Sequence, residues 1–348
     1  MYFDLDEDQR MLRDLVRRLL ADECPPSVVR AAWPGGEVSL LEPVWRKLAG
    51  IGVPGLLVDE TLGGTGLDET YMVALLEQTG HAGLPLPTVA TVAVAAPLLA
   101  ASPDRAELLA DVLSGQTLIG CQLEASSTDG TVLVPHGQLV SAAIVITPRG
   151  LGLVSMAAAR PVASMDGARR LAQVDLRAAV PLHVDDEALD LAVARATVGT
   201  AAELIGLSRR MLAITVEYVC QRTQFGVPVG GFQAIKHQLA DALLAIEFAG
   251  PAVRRAGYSL ATGDANAERE VSAAKALASE AATSVARTTI QCHGAIAYTT
   301  EYDHHLFAKR AWALAQEYGN AAAHRQRLAG LLGLRTDHPS RTIQKVAP

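Results

Sequence analysis

Two long runs of helical periodicity, joined by a loop too rich in Pro and Gly to continue either, set the terms for this fold. The first run places Leu191, Ala194, Val198, Ala201, Leu204, Ile205, Leu207, Met211 and Leu212 at intervals of one helix face. The second repeats Ile235, Leu239, Leu243 and Ile246. Pro228, Gly230 and Gly231 break the chain between them. A short loop between two amphipathic helices lays them side by side and antiparallel. Asp185 and Asp186 offer an N-terminal cap to the first. Three more helical patterns follow. They run from Asn266 to Ile290, from Asp303 to Ala315 and from Ala322 to Leu332. Residues 185–335 are therefore expected to form a C-terminal four-helix bundle, and residues 336–348 a frayed polar tail.

Residues 1–115 read as an N-terminal helical domain. Met11, Leu12, Leu15, Val16 and Leu19 share one face of a helix, and Leu41 to Leu48 gives a second. Asp68 is the expected cap of a helix over Thr70 to Gly80. The Gly-rich stretch Gly63-Gly64-Thr65-Gly66 lacks the Gly-Lys-Ser/Thr context of a phosphate loop, so it reads as a tight turn. The uncharged run from Ala82 to Pro103 holds Pro85, Pro87 and Pro97, which favours a buried, interrupted helix over a membrane span. Between 116 and 184 the texture changes. Thr117 to Leu123, Gly130 to Val134, Ala143 to Thr147, Ala172 to Leu176 and Ala179 to Val184 are short β-rich runs between turn residues. A shortened antiparallel β-barrel or sandwich is expected there. The fold class is thus α+β, mostly α.

The loop between the two long helices carries the most specific signal. It reads Gln221-Arg222-Thr223-Gln224-Phe225-Gly226-Val227-Pro228, then Phe232-Gln233. A second motif is Gln291-Cys292-His293-Gly294, followed by Tyr298-Thr299-Thr300-Glu301. Together these strongly resemble the signatures of the acyl-CoA dehydrogenase family of flavoproteins, and the resemblance covers nearly the whole chain. It implies FAD as cofactor, with Arg222 on the pyrophosphate. Gln224, Phe225 and Gln233 would lie along the adenosine half, and Gln291 and Gly294 would meet the same FAD. A guanidinium fork matches phosphate geometry, which gives the arginine assignment a physical reason. In the family Glu301 is structural and would cap the next helix.

The resemblance also implies a reaction. An acyl-CoA loses its α-proton to a carboxylate and a hydride from its β-carbon to the flavin, giving the 2,3-enoyl-CoA. The proton acceptor needs a dry pocket that raises its pKa. Here this chain departs from the pattern. Counted without gaps from Gln291, the family's glutamate falls on Tyr318, and Glu317 stands one residue too early. One residue turns a helical side chain by about 100°. The alternative family position, on the helix before the signature loop, falls at Ala196, and the neighbouring Asp190 and Glu203 do not match it. Glu203 reads instead as a helix–helix contact. The family's Thr-Glu-Pro-x-x-Gly-Ser-Asp segment is reduced to Gln122 to Gly130, where only Glu124 matches.

No catalytic residue is therefore assigned. The residues a subunit offers across an interface are kept, and those that would hold its own flavin are not. This resembles the smaller partner subunit of heteromeric (α2β2) bacterial acyl-CoA dehydrogenases. A self-sufficient homo-oligomer using Glu317, a family-fold oxidase or hydratase, and a purely structural subunit stay open. The resemblance implies an acyl-CoA substrate and an electron-transferring flavoprotein as electron acceptor.

The net charge of −7 gives no basic footprint for nucleic acid. Cys24, Cys121, Cys220 and Cys292 are scattered without metal spacing and read as reduced cytoplasmic thiols. The acidic start, Asp4 to Asp8, does not read as a signal peptide. Asp303, His304 and His305 are not expected to bind metal, because adjacent helical side chains diverge.

Overall fold

A computed structural model describes residues 4–124 and 130–334 of the chain. The expected tail therefore lies outside the described residues, as does the heart of the degenerate segment, 125–129. Helix α1 (Glu7–Glu23) opens with a capping box between Asp6 and Gln9. Then come α2 (Pro26–Ala31), α3 (Leu41–Gly50) and α4 (Glu69–Ala82). Asp68 caps α4 through the Thr70 amide, as its spacing predicts. The run after Ala82 is an interrupted, buried helix. A π-helical turn (Ala90–Ala95) leads into α5 (Ala96–Ala100), and α6 (Ala106–Leu113) follows.

The middle of the chain folds into two small sheets. One has the order β1 (Ile119–Gln122), β3 (Ala142–Thr147), β4 (Gly150–Ser155), β7 (Val180–Pro181). The other has the order β2 (Thr131–Val134), β6 (Ala172–Asp175), β5 (Arg160–Pro161). Val132, Val134, Val145, Val154 and Val174 fill the space between them, so a sandwich is the correct half of the expectation. The pairing is not purely antiparallel. β1 and β3 run parallel, because β2 crosses to the other sheet and the chain returns in its original direction.

The C-terminal helices are α7 (Asp186–Gln221), α8 (Gln233–Ala261), α9 (Ala267–His293), α10 (His304–Leu314) and α11 (Ala321–Leu331). Asp185 caps α7 through the Ala188 amide. α7 is long and apolar enough to cross a bilayer, but 83% of its most apolar window is buried within the fold, as befits a core helix. It crosses α4 at two glycines. A Cβ on Gly80 would sit 2.2 Å from the Glu203 carbonyl oxygen, and one on Gly206 would sit 2.0 Å from that of Glu77. The close approach brings Glu203 against α4. One continuous core runs from Val16 through Ile119 and Leu204 to Phe307, uniting both helical parts with β1.

Candidate functional site

The signature loop is a β-hairpin at one end of the bundle. β8 (Thr223–Gln224) pairs with β9 (Val227–Pro228), leaving Phe225 and Gly226 as a two-residue turn. Their φ angles are +54° and +81°, the requirement of a type I′ hairpin. Gly226 meets it freely. Phe225 does so at a conformational cost, since a bulky residue is disfavoured at positive φ. Its ring is 92% exposed, with Phe232 edge-on at 6.2 Å.

Arg222 forms the C-cap of α7, its amide donating to the Tyr218 carbonyl at 2.8 Å. Its guanidinium is exposed, and no ion pair engages it among the described residues. Gln224 lies beside it in β8, its side chain donating to the Thr223 carbonyl at 2.7 Å. Gln233 begins α8 behind Phe232, which offers no side-chain cap. At the end of α9, Gln291 and Gly294 are both exposed. Gly294 has φ +69° and open space where a Cβ would be. Two contacts tie these ends together. Tyr218 stacks on His293 at 4.4 Å, and the Cys292 thiol reaches the Gln238 side-chain oxygen at 3.8 Å. The six residues thus gather at one end of the bundle, facing solvent. His237 is exposed there too, while His293 is buried and held through Nδ1 to the Thr289 carbonyl at 2.8 Å.

A second constellation lies inside, where the sandwich meets the helices. Cys121, Glu124, His136, Glu203, Arg310 and Tyr318 line a cavity of about 40 Å³. Its carboxylates are engaged by neighbouring groups, while His136 Nδ1 and Arg310 Nη2 have no partner among the described residues. Glu317 pairs with Arg169. Arg310 pairs with Asp166 at 2.5 Å and donates to the Leu84 carbonyl at 3.1 Å. The Thr79 hydroxyl donates to Glu203 at 2.9 Å, the helix–helix contact that the sequence suggests. Burial pushes the Glu203 carboxyl up to about 7, against the pull of Arg310. Glu124 accepts from the Gly319 amide at 3.0 Å, and burial with the nearby Glu317 raises its pKa. Tyr318 takes the left-handed conformation, φ +52°.

Lys275 is the group that sequence reasoning missed. It is fully buried on α9 and donates to the Ser279 hydroxyl and to the Ala315 and Gly319 carbonyls, at 2.9, 3.2 and 3.0 Å. Burial brings its ammonium down to about 8. The signal was present: position 275 falls in step with the buried Val271, Ala278 and Ala282.

One expectation changes. Asp303, not Glu301, occupies the N-cap position of α10, without a side-chain bond to it. Asp303 pairs instead with Arg30, and Glu301 is exposed. His304 and His305 go to different partners, the Thr289 hydroxyl at 2.8 Å and the Trp33 ring at 5.2 Å.

Residues 6–116 match the acyl-CoA dehydrogenase N-terminal domain, and residues 188–331 match its C-terminal domain. The chain is 34% identical to the acyl-CoA dehydrogenase IpdE2 of Mycobacterium tuberculosis, over 89% of this chain and 92% of that one. It is 30% identical to FadE34 of the same organism, over 95% of this chain but 49% of FadE34. Among solved structures, the Tcur3481-Tcur3483 steroid ACAD superposes with a TM-score of 0.82 at 26% identity, covering 94% of this chain and 98% of that one. The ChsE4-ChsE5 complex of Mycobacterium tuberculosis shares the fold, with a TM-score of 0.80 at 23% identity, covering 98% of this chain and all of that one.

Proposed function

The chain belongs to the acyl-CoA dehydrogenase family, and from that premise we propose that it is the partner subunit of a heteromeric enzyme, completing the FAD site of a catalytic sister chain. The observation that carries this reading is the outward display at the hairpin. Phe225 is held in a disfavoured conformation and fully presented, and such strain persists where surroundings or a ligand reward it. Arg222 stands beside it with a guanidinium that no described residue pairs. The set fits the adenosine-pyrophosphate half of FAD. A cation meets the phosphates, an aromatic ring lies along the adenosine, and Gly294 lets backbone approach closely. Bound FAD supplies the acceptor for the two electrons that leave the acyl chain.

This chain's part is to bind and position. Its interior carboxylates are spent on Arg169, Arg310, Thr79 and the Gly319 peptide, so none is assigned as the proton acceptor. A sister chain also accounts for the apolar surface. Leu244 and Phe248 lie one turn apart on α8, 53% and 76% exposed, with Val216 and Leu277 exposed on α7 and α9. Exposed apolar area of this kind marks an interface. FadE34, of which the chain spans about half, has room for a second unit of this size in one polypeptide. The residues at 1–115, 116–184 and 185–335 are read as the helical, β and bundle domains of this subunit. Its cysteines are free, which suits a reducing cytoplasm. An electron-transferring flavoprotein is the expected acceptor of the electrons.

The test is Arg222→Ala in the assembled complex. Loss of a charge-assisted contact predicts FAD binding weaker by about tenfold to a hundredfold, with the melting temperature of the chain unchanged. Normal flavin content would remove Arg222 from the site.

A second reading, a self-sufficient dehydrogenase, is favoured by one observation: Glu317 and Glu203 both face the interior cavity. Glu317→Gln and Glu203→Gln, each made alone, separate the two. The partner reading predicts turnover of the assembled enzyme within about twofold of wild type, whereas a catalytic base lost would cost about 10²-fold or more.

A further inference from the structure

A further cavity lies away from both constellations, against α4. α1, α4, α7 and α8 enclose about 490 Å³, the size of a small-molecule site. Its floor is apolar, made by Val73, Ala74, Leu212, Leu243 and Ile246. Its rim carries Arg13, Arg17, Arg209 and Arg254 against one carboxylate, Glu77, in a protein of net charge −7. Arg13 pairs with Asp14 at 2.9 Å, and Arg209 with Glu77 at 3.0 Å and Glu247 at 2.5 Å. Arg17 is exposed and makes no ion pair with a described residue, although Asp14 lies near enough to feel its charge.

A second observation points into the same space. Gln78 lines the cavity and is 92% buried by its 8% exposure, yet its amide has no hydrogen-bond partner among the described residues. An amide at the cavity wall that no described residue engages is open to a ligand head group. The local field is positive as well. Burial first, then Arg210, Arg17 and Arg209, bring the His81 imidazole down to about 4, so the ring is neutral at neutral pH and available as a donor.

We propose that this cleft binds a small organic anion with an apolar body, its oxyacid head at Arg17 and Gln78 and its body on the floor formed by Val73, Leu212, Leu243 and Ile246. The proposal is independent of the partner-subunit reading, because the cleft shares no residue with the hairpin or the interior cavity. An anionic head on an apolar body is matched by cation, amide and aliphatic wall together, whereas a neutral lipid would leave Arg17 and Gln78 unanswered.

The test is calorimetric titration of the purified protein, with any sister chain that accompanies it, using octanoate, octyl phosphate, octanol and acetate. One saturable site for octanoate or octyl phosphate is expected, at least tenfold tighter than for octanol or acetate. The comparison of octanoate with octyl phosphate identifies the preferred head. Arg17→Gln should weaken binding at least fivefold, and Arg17→Glu should abolish it. Arg17 is exposed, so both variants should fold. Absence of saturable binding, equal affinity for octanol, or full affinity in Arg17→Glu would each overturn the proposal. The last outcome would place the anion elsewhere, including a sister chain's acyl site.

Discussion

Glu203 shows how a single side chain can be both necessary to a crossing and costly to it. The glycines at 80 and 206 draw α4 and α7 together and seal the carboxyl from water. Its pKa rises from the ordinary 4.5 to about 7, so the folded chain holds this proton more tightly than the unfolded chain. The associated stability is complete below about pH 4.5 and is lost as pH rises through about 7. Glu203→Gln keeps an oxygen to accept from Thr79 and removes the titration. Urea unfolding should therefore find the variant close to wild type near pH 5 and more stable at pH 8, by up to on the order of 3 kcal/mol. An equal difference at both pH values would show that the charge is not what burial penalises. At this scale the sequence was only partly legible. Glu203 could be read as a helix–helix contact, and Asp68 and Asp185 as caps, because those roles depend on local spacing. The burial of Lys275 is legible in its helical spacing, but its partners and that of Arg169 are not, since they lie far along the chain at Ala315, Gly319 and Glu317.

At the scale of elements, the hairpin between α7 and α8 is the feature to test. A Phe-Gly turn with both residues at positive φ holds Phe225 away from its own chain. Phe225→Gly removes the strain but adds unfolded-state entropy, two effects of about 1 kcal/mol that oppose each other. Its melting temperature should stay within a few degrees of wild type while flavin retention in the complex falls. A large loss of stability would instead make Phe225 a structural anchor. Helix boundaries were legible to within a few residues, since apolar period and capping residues act locally. The sheets were less so. β4 and the short β5 were not anticipated, because Gly150 to Ser155 holds two glycines and a two-residue strand carries no period. The parallel pairing of β1 with β3 depends on β2 leaving for another sheet, which no local pattern records.

For the whole molecule, the family was legible because its motifs sit where two helix ends and a hairpin must meet. The division of labour between chains is a property of the assembly, and one sequence can only suggest it through what its carboxylates lack. The interior carboxylates Glu124, Glu203 and Glu317 are each engaged, and the groups proposed for FAD face outward. The decisive measurement is a visible absorption spectrum with light scattering, on the chain purified alone and after co-expression with an adjacent dehydrogenase-like chain. The account predicts a colourless or unstable chain alone, and a yellow mixed complex of defined mass that bleaches on addition of an acyl-CoA. A yellow chain that bleaches with acyl-CoA on its own would contradict it and return the search for a base to Glu317 and Glu203.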